Sequence, residues 1–126
     1  MKTLILFFIF FSPLWGIELN STNDYNKALK QAQKENKKIY LLITSKYCMW
    51  SKKFKRSVLR NRRVIKKLNK KYIFVSLVKE KDFIPDRFNK KNVPIHYFLS
   101  NEGKIIYTYL GYWSYKDFSL YISDKK

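Results

Sequence analysis

"SKYCMWSKKFKR", residues 45–56, holds the sole cysteine of a 126-residue chain, and its reading decides the fold. Ahead of it runs "KIYLLITS", residues 38–45, an unbroken apolar stretch. Such a run predicts a strand covered on both faces. Behind it, Trp50, Phe54 and Val58 recur at helical spacing, while Lys52, Lys53, Lys55 and Arg56 fall off that stripe. The pattern predicts a helix over 49–60 with its apolar stripe turned inward. Cys48 therefore stands where a buried strand hands over to the amino end of a helix. Unpaired N–H groups and the helix dipole favour an anion there. Lys46, Lys52 and Lys53 are close in sequence and add positive potential. Surroundings of this kind draw a cysteine pKa from ~8.5 down to ~3.5–7.5. Ser51 occupies the position where a second cysteine would complete a C-x-x-C pair, and its hydroxyl can donate a hydrogen bond to the sulfur.

The flanking segments extend the pattern. Residues 23–37 predict a helix, with Tyr25, Ala28, Leu29 and Ala32 on one face and Asn23 or Asp24 as its cap. "RRVIKKLNKK" continues helically, with Val64, Ile65 and Leu68 inward. Residues 72–78 predict a second buried strand, and 80–93 irregular or weakly helical chain. Residues 94–100 form a third strand, "NEG" at 101–103 a turn, and 104–113 a fourth strand. A last helix covers 114–124, with Tyr115, Phe118, Tyr121 and Ile122 facing in. A helical crossover makes the first two strands parallel, and the tight turn makes the last two antiparallel, so the sheet is mixed.

This order resembles the thioredoxin-like superfamily, and within it the exported proteins whose site reads Tyr-Cys-Pro-Trp-Cys before basic residues. Tyr47, Cys48, Trp50 and Lys52 match that site. "NVPIHYFLSNEGK", 92–104, is similar to the family's cis-proline segment, with Pro94 as the proline. "YLGYW", 109–113, matches the end of its last strand. The resemblance implies an α/β fold, a three-layer α/β/α sandwich around a mixed four-stranded sheet. It also implies that Val93 and Pro94 offer backbone to an extended substrate beside Cys48, with Tyr47 and Trp50 as further contacts. Three departures stand out. Met49 replaces the proline of the motif, Ser51 replaces the second cysteine, and "IYLLITS" lacks the buried carboxylate that many thioredoxins carry.

A lone thiolate can attack a partner disulfide and form a mixed disulfide, but no internal thiol can then release it. That leaves isomerase-like shuffling, glutaredoxin-like exchange with a small thiol, or retention of a substrate cysteine. The rival expectation is a non-catalytic binding module for an envelope protein, because free cysteine is often simply buried. The partner expected for the active reading is a cysteine-containing exported protein or a small thiol. His96 is the sole histidine, two residues past Pro94. It reads as a core or edge histidine or as a proton carrier near Cys48. One cysteine and one histidine cannot fill a zinc site, and no cofactor is expected.

Composition sets the outer bounds. A chain that is 46% hydrophobic and 18% aromatic can build one ordinary domain core. Lys2, the apolar "TLILFFIFF", and Leu14 and Gly16 before Ile17 have the pattern of a cleaved secretory signal over 1–16, leaving a domain at 17–126. The expected location is periplasmic or otherwise extracytoplasmic. With one cysteine, no internal disulfide can form there, so packing carries stability. The net charge is +18, and no acidic residue lies between Glu35 and Glu80. This predicts one broad positive face on the helices after Cys48, read either as ordinary solvated charge or as a face fit for an acidic partner or an anionic membrane surface. Nucleic acid is disfavoured by export and by the excess of Lys over Arg.

Overall fold

The computed structural model describes residues 18–123, so the expected signal segment lies outside the described residues. The element order is α1 (Tyr25–Glu35), β1 (Lys38–Thr44), α2 (Met49–Ser57), α3 (Arg62–Lys71), β2 (Tyr72–Val78), β3 (Ile95–Leu99), β4 (Ile105–Leu110) and α4 (Tyr115–Ser123). Local chemistry fixes the helix ends. The Asp24 carboxylate accepts from Lys27 N, and Asn36 closes α1 in a left-handed conformation at φ 55°. Asn61 accepts from the N–H groups of Arg63 and Val64 at the start of α3.

The sheet order is β2-β1-β3-β4. β1 pairs with β2 in parallel, Lys38 opposite Tyr72 through Thr44 opposite Val78. β1 pairs with β3 antiparallel, from Ile39 opposite Leu99 to Ile43 opposite Ile95. Successive side chains of a strand alternate faces, and β1 shows this cleanly. Ile39, Leu41 and Ile43 pack under α1 with Ile73, Val75, Leu77, Ile84 and Phe88. Tyr40 and Leu42 pack on the other face, against Phe54, Leu68, Phe118 and Ile122 of the three remaining helices and Val58 just past the end of α2. The result is the expected α/β/α sandwich with a mixed four-stranded sheet.

Three sequence expectations need correction in detail. The fourth strand ends at Leu110 rather than at 113: Gly111 adds one last rung, its N–H donating to Pro94 O at 2.7 Å, and its φ of 102° then turns the chain away from β3. Tyr115 and Tyr121 are half-buried at the rim of the core, while Phe118 and Ile122 fill it. Trp50 leaves the buried stripe altogether: it is 55% exposed, whereas Phe54 and Val58 are fully covered. In the first turn of α2 the side chain lies against Tyr112, at 5.7 Å between ring centroids, instead of against the sheet.

Candidate thiol site

Strand register brings the site together. β1 ends at Thr44, and Ser45–Cys48 lead into α2. β3 runs antiparallel to β1 with Ile95 opposite Ile43, so Val93 and Pro94 sit at the same end of the sheet as Cys48. β2 runs parallel with Val78 opposite Thr44, so Lys79 and Glu80 emerge at that end too. Residues distant in sequence thus converge on one sulfur.

Cys48 is the N-cap residue of α2, with extended backbone at φ −96° and ψ 118°, and it is half-buried. The neutral thiol makes no capping hydrogen bond to the helix. It donates instead to Val93 O, with sulfur and oxygen 3.6 Å apart. The Val93–Pro94 peptide bond is cis. The sulfur therefore faces the Val93–Pro94 segment and not the hydrophobic interior.

Ionisation changes the preferred partners. Partial burial pushes the thiol pKa up, but the Ser51 backbone N–H, the Ser51 hydroxyl and the Trp50 N–H all favour the anion, and the Lys79 charge adds to them. The net effect holds the Cys48 thiol below the ordinary cysteine value. Ser51 is buried, and its oxygen accepts from Ser45 N at 3.5 Å, which leaves its own O–H to point at the sulfur. The lysine that acts on Cys48 is Lys79, not the sequence neighbours first expected. Lys46 lies over the Tyr47 ring at 5.3 Å, and Lys53 lies over both the Trp50 and the Tyr112 rings at 5.2 and 5.1 Å.

Glu80 is a second participant that sequence spacing does not reveal. Its carboxylate accepts from the Ser45 hydroxyl and, at 2.9 Å, from Lys46 N. Those bonds lower its pKa and pin the loop that carries Cys48. Tyr47, Met49 and Trp50 are exposed around the sulfur, so the site has an apolar rim.

His96 is a core histidine. It is fully covered, with Tyr40 Oη 2.8 Å from Nδ1 and Gly111 O 3.0 Å from Nε2. A carbonyl only accepts, so Nε2 carries the proton and Nδ1 takes the tyrosine O–H. Burial lowers the ring pKa to about 4, against a smaller opposing pull from the Gly111 carbonyl. Both nitrogens are committed, and neither reaches Cys48. Through Gly111, whose N–H holds Pro94 O, the ring supports the Pro94 side of the site from below. Among the described residues, no group of three or more His, Cys, Asp or Glu is placed to hold a metal ion.

The fold and the strand-to-helix thiol define the class: this chain belongs to the thioredoxin-like domain family, whose model matches residues 25–126. Solved structures share the architecture. A thioredoxin from Thermus thermophilus is 16% identical with a TM-score of 0.68, over 84% of this chain and 86% of that one. A DsbH oxidoreductase is 19% identical with a TM-score of 0.59, over 86% of this chain and 81% of that one. A disulphide isomerase from Xylella fastidiosa Temecula1 is 18% identical with a TM-score of 0.62, over 79% and 86%. At these identities the likeness shows the fold alone. No curated protein matches the chain.

Proposed function

We propose that this protein exchanges thiols and disulfides through Cys48 alone, outside the cytoplasm. The carrying observation is the placement of the sulfur: half-buried at the amino end of α2, 3.6 Å from Val93 O, with its anion favoured by Ser51 and Trp50. The apolar segment 3–11 supports export. The fold shared with an oxidoreductase and a disulphide isomerase supports the chemistry.

In the proposed reaction the Cys48 thiolate attacks one sulfur of a substrate disulfide. The substrate S–S bond breaks as the Cys48–substrate bond forms, and the displaced thiolate takes a proton from solvent. Ser51 has no sulfur with which to resolve this adduct. Release comes from a second substrate thiolate, which isomerises the substrate with no net redox change. A small external thiol also releases it, in two attacks that leave the substrate reduced and the small thiol as its own disulfide. Val93, Pro94, Tyr47 and Trp50 are the proposed docking edge for the substrate chain.

Trapping tests this reading. Cys48 variants and the native protein are incubated with an oxidised extract of exported proteins, quenched in acid and run without reductant. Reductant-sensitive adducts in the native protein that vanish in Cys48→Ala support exchange. Equal partner recovery by Cys48→Ala, with no adduct in either, refutes it and favours the binding module.

A further inference from the structure

The surroundings of Cys48 carry more positive than negative charge. Every residue from β1 through α3 lacks a carboxylate, since no acid lies between Glu35 and Glu80. In the turn after β2, Glu80 reaches the site and Asp82 lies beyond it; their hydrogen bonds go to neutral donors, but their charges are felt by Lys79 and Lys55 respectively. Glu80 takes the Ser45 hydroxyl and Lys46 N. Asp82 takes Val78 N at 2.8 Å and Asn23 Nδ2 at 3.2 Å.

The cations of the loop and helix that carry Cys48, and Lys79 beside them, are held in place by neutral groups, with Glu80 offsetting part of the Lys79 charge. Lys79 donates to Lys90 O at 3.2 Å, which anchors a charge that is felt at Cys48. Lys53 is held over two adjacent rings, and Lys46 over a third. Aromatic faces and a carbonyl orient an ammonium but leave its full charge for a ligand. Glu80 is held by a hydroxyl and an amide and offsets part of this charge, so Lys46, Lys53 and Lys79 outnumber the one carboxylate at the loop, and a partner can supply the missing counter-charge.

We propose that Cys48 selects acidic substrates: disulfides whose reactive cysteine is flanked by Asp or Glu, which meet Lys46, Lys53 and Lys79 as the sulfurs align. This rests on the exchange reading above and names its substrate class. Charge raises the local concentration of such peptides and holds them beside Val93. It also stabilises the encounter in which the thiolate approaches a disulfide that carries negative charge of its own.

The test uses three otherwise identical peptides, each with one cysteine activated as a 2-thiopyridyl disulfide and flanked by two Glu, two Gln or two Lys. Attack by Cys48 releases 2-thiopyridone, which reports the second-order rate constant. At low salt the Glu peptide reacts at least about tenfold faster than the Lys peptide, in the range of steering by a charged site. In 1 M salt, where the Debye length is about 3 Å, the ratio falls towards unity. The double variant Lys46→Gln/Lys53→Gln lowers the Glu-to-Lys ratio at low salt. The ratio is the readout, because absolute rates also follow the Cys48 pKa.

Equal rates for the three peptides overturn the selectivity and leave the exchange reading standing. No reaction with the Gln peptide overturns both. A preference unchanged in 1 M salt or in the double variant also overturns the proposal. So does binding to phosphatidylserine vesicles combined with equal peptide rates, which makes the field a membrane contact.

Discussion

Lowering the pH from 7 to 5 should destabilise this protein through a single buried ring. His96 is fully covered, accepts from Tyr40 and donates to Gly111, and its pKa is lowered to about 4 from 6.5. The unfolded chain therefore binds a proton across the interval from 6.5 to 4 that the folded chain refuses. The stabilisation is present above pH 6.5 and lost as pH falls to about 4. At about 1.4 kcal/mol per pH unit, the whole interval is worth about 3 kcal/mol, and the step from pH 7 to 5 about 2 kcal/mol. Urea unfolding at the two pH values measures it. His96→Phe, which cannot titrate, should lose about 2 kcal/mol less over that step than the native protein. The variant starts lower at pH 7, because it leaves Tyr40 Oη and Gly111 O unpaired. Glu35 and Glu80, whose pKa values are also lowered, contribute to both proteins and cancel in the difference. His96 is the sole histidine, so its imidazole gives one NMR titration and an independent check. The same pH dependence in both proteins, or an imidazole midpoint near 6.5, would refute the reasoning.

Ser51→Ala removes the hydroxyl that favours the Cys48 anion, so the thiol pKa should rise while the fold persists; thiolate absorbance against pH measures it. Gly103→Ala should cost about 2–3 kcal/mol in urea unfolding, because φ is +88° and the new Cβ would lie 2.9 Å from Tyr25 Oη. Gly111→Ala, at φ +102° with nothing within 4 Å, should cost only about 1 kcal/mol of backbone strain. Thr44 Oγ1 is buried with no hydrogen-bond partner, so Thr44→Val should raise stability by about 1 kcal/mol on the same assay.

The chain order and the position of Cys48 were legible because they rest on local signals. The unbroken run 38–44 reads as a doubly covered strand, and α2 begins at Met49, directly after the cysteine. Pro94 beside Cys48 followed from family resemblance rather than from periodicity, and the antiparallel register of β1 and β3 is what joins them. Lys79 and Glu80 were missed because their approach depends on the parallel register that sets Val78 beside Thr44. Trp50 misled because helical spacing marks a stripe without saying where the sheet beneath it stops. His96 was readable as a core residue. Its partners were not, since Tyr40 is 56 residues away and Gly111 lies past the end of β4.

The proposed exchange chemistry depends on the ionisation of Cys48. The rate of iodoacetamide alkylation against pH, followed by intact mass on the native fold, reads it directly, because no other cysteine competes. A midpoint below the ~8.5 of a free cysteine, absent in Cys48→Ala, is the predicted result. A midpoint at or above that value, or a thiol that labels only after unfolding, would contradict it.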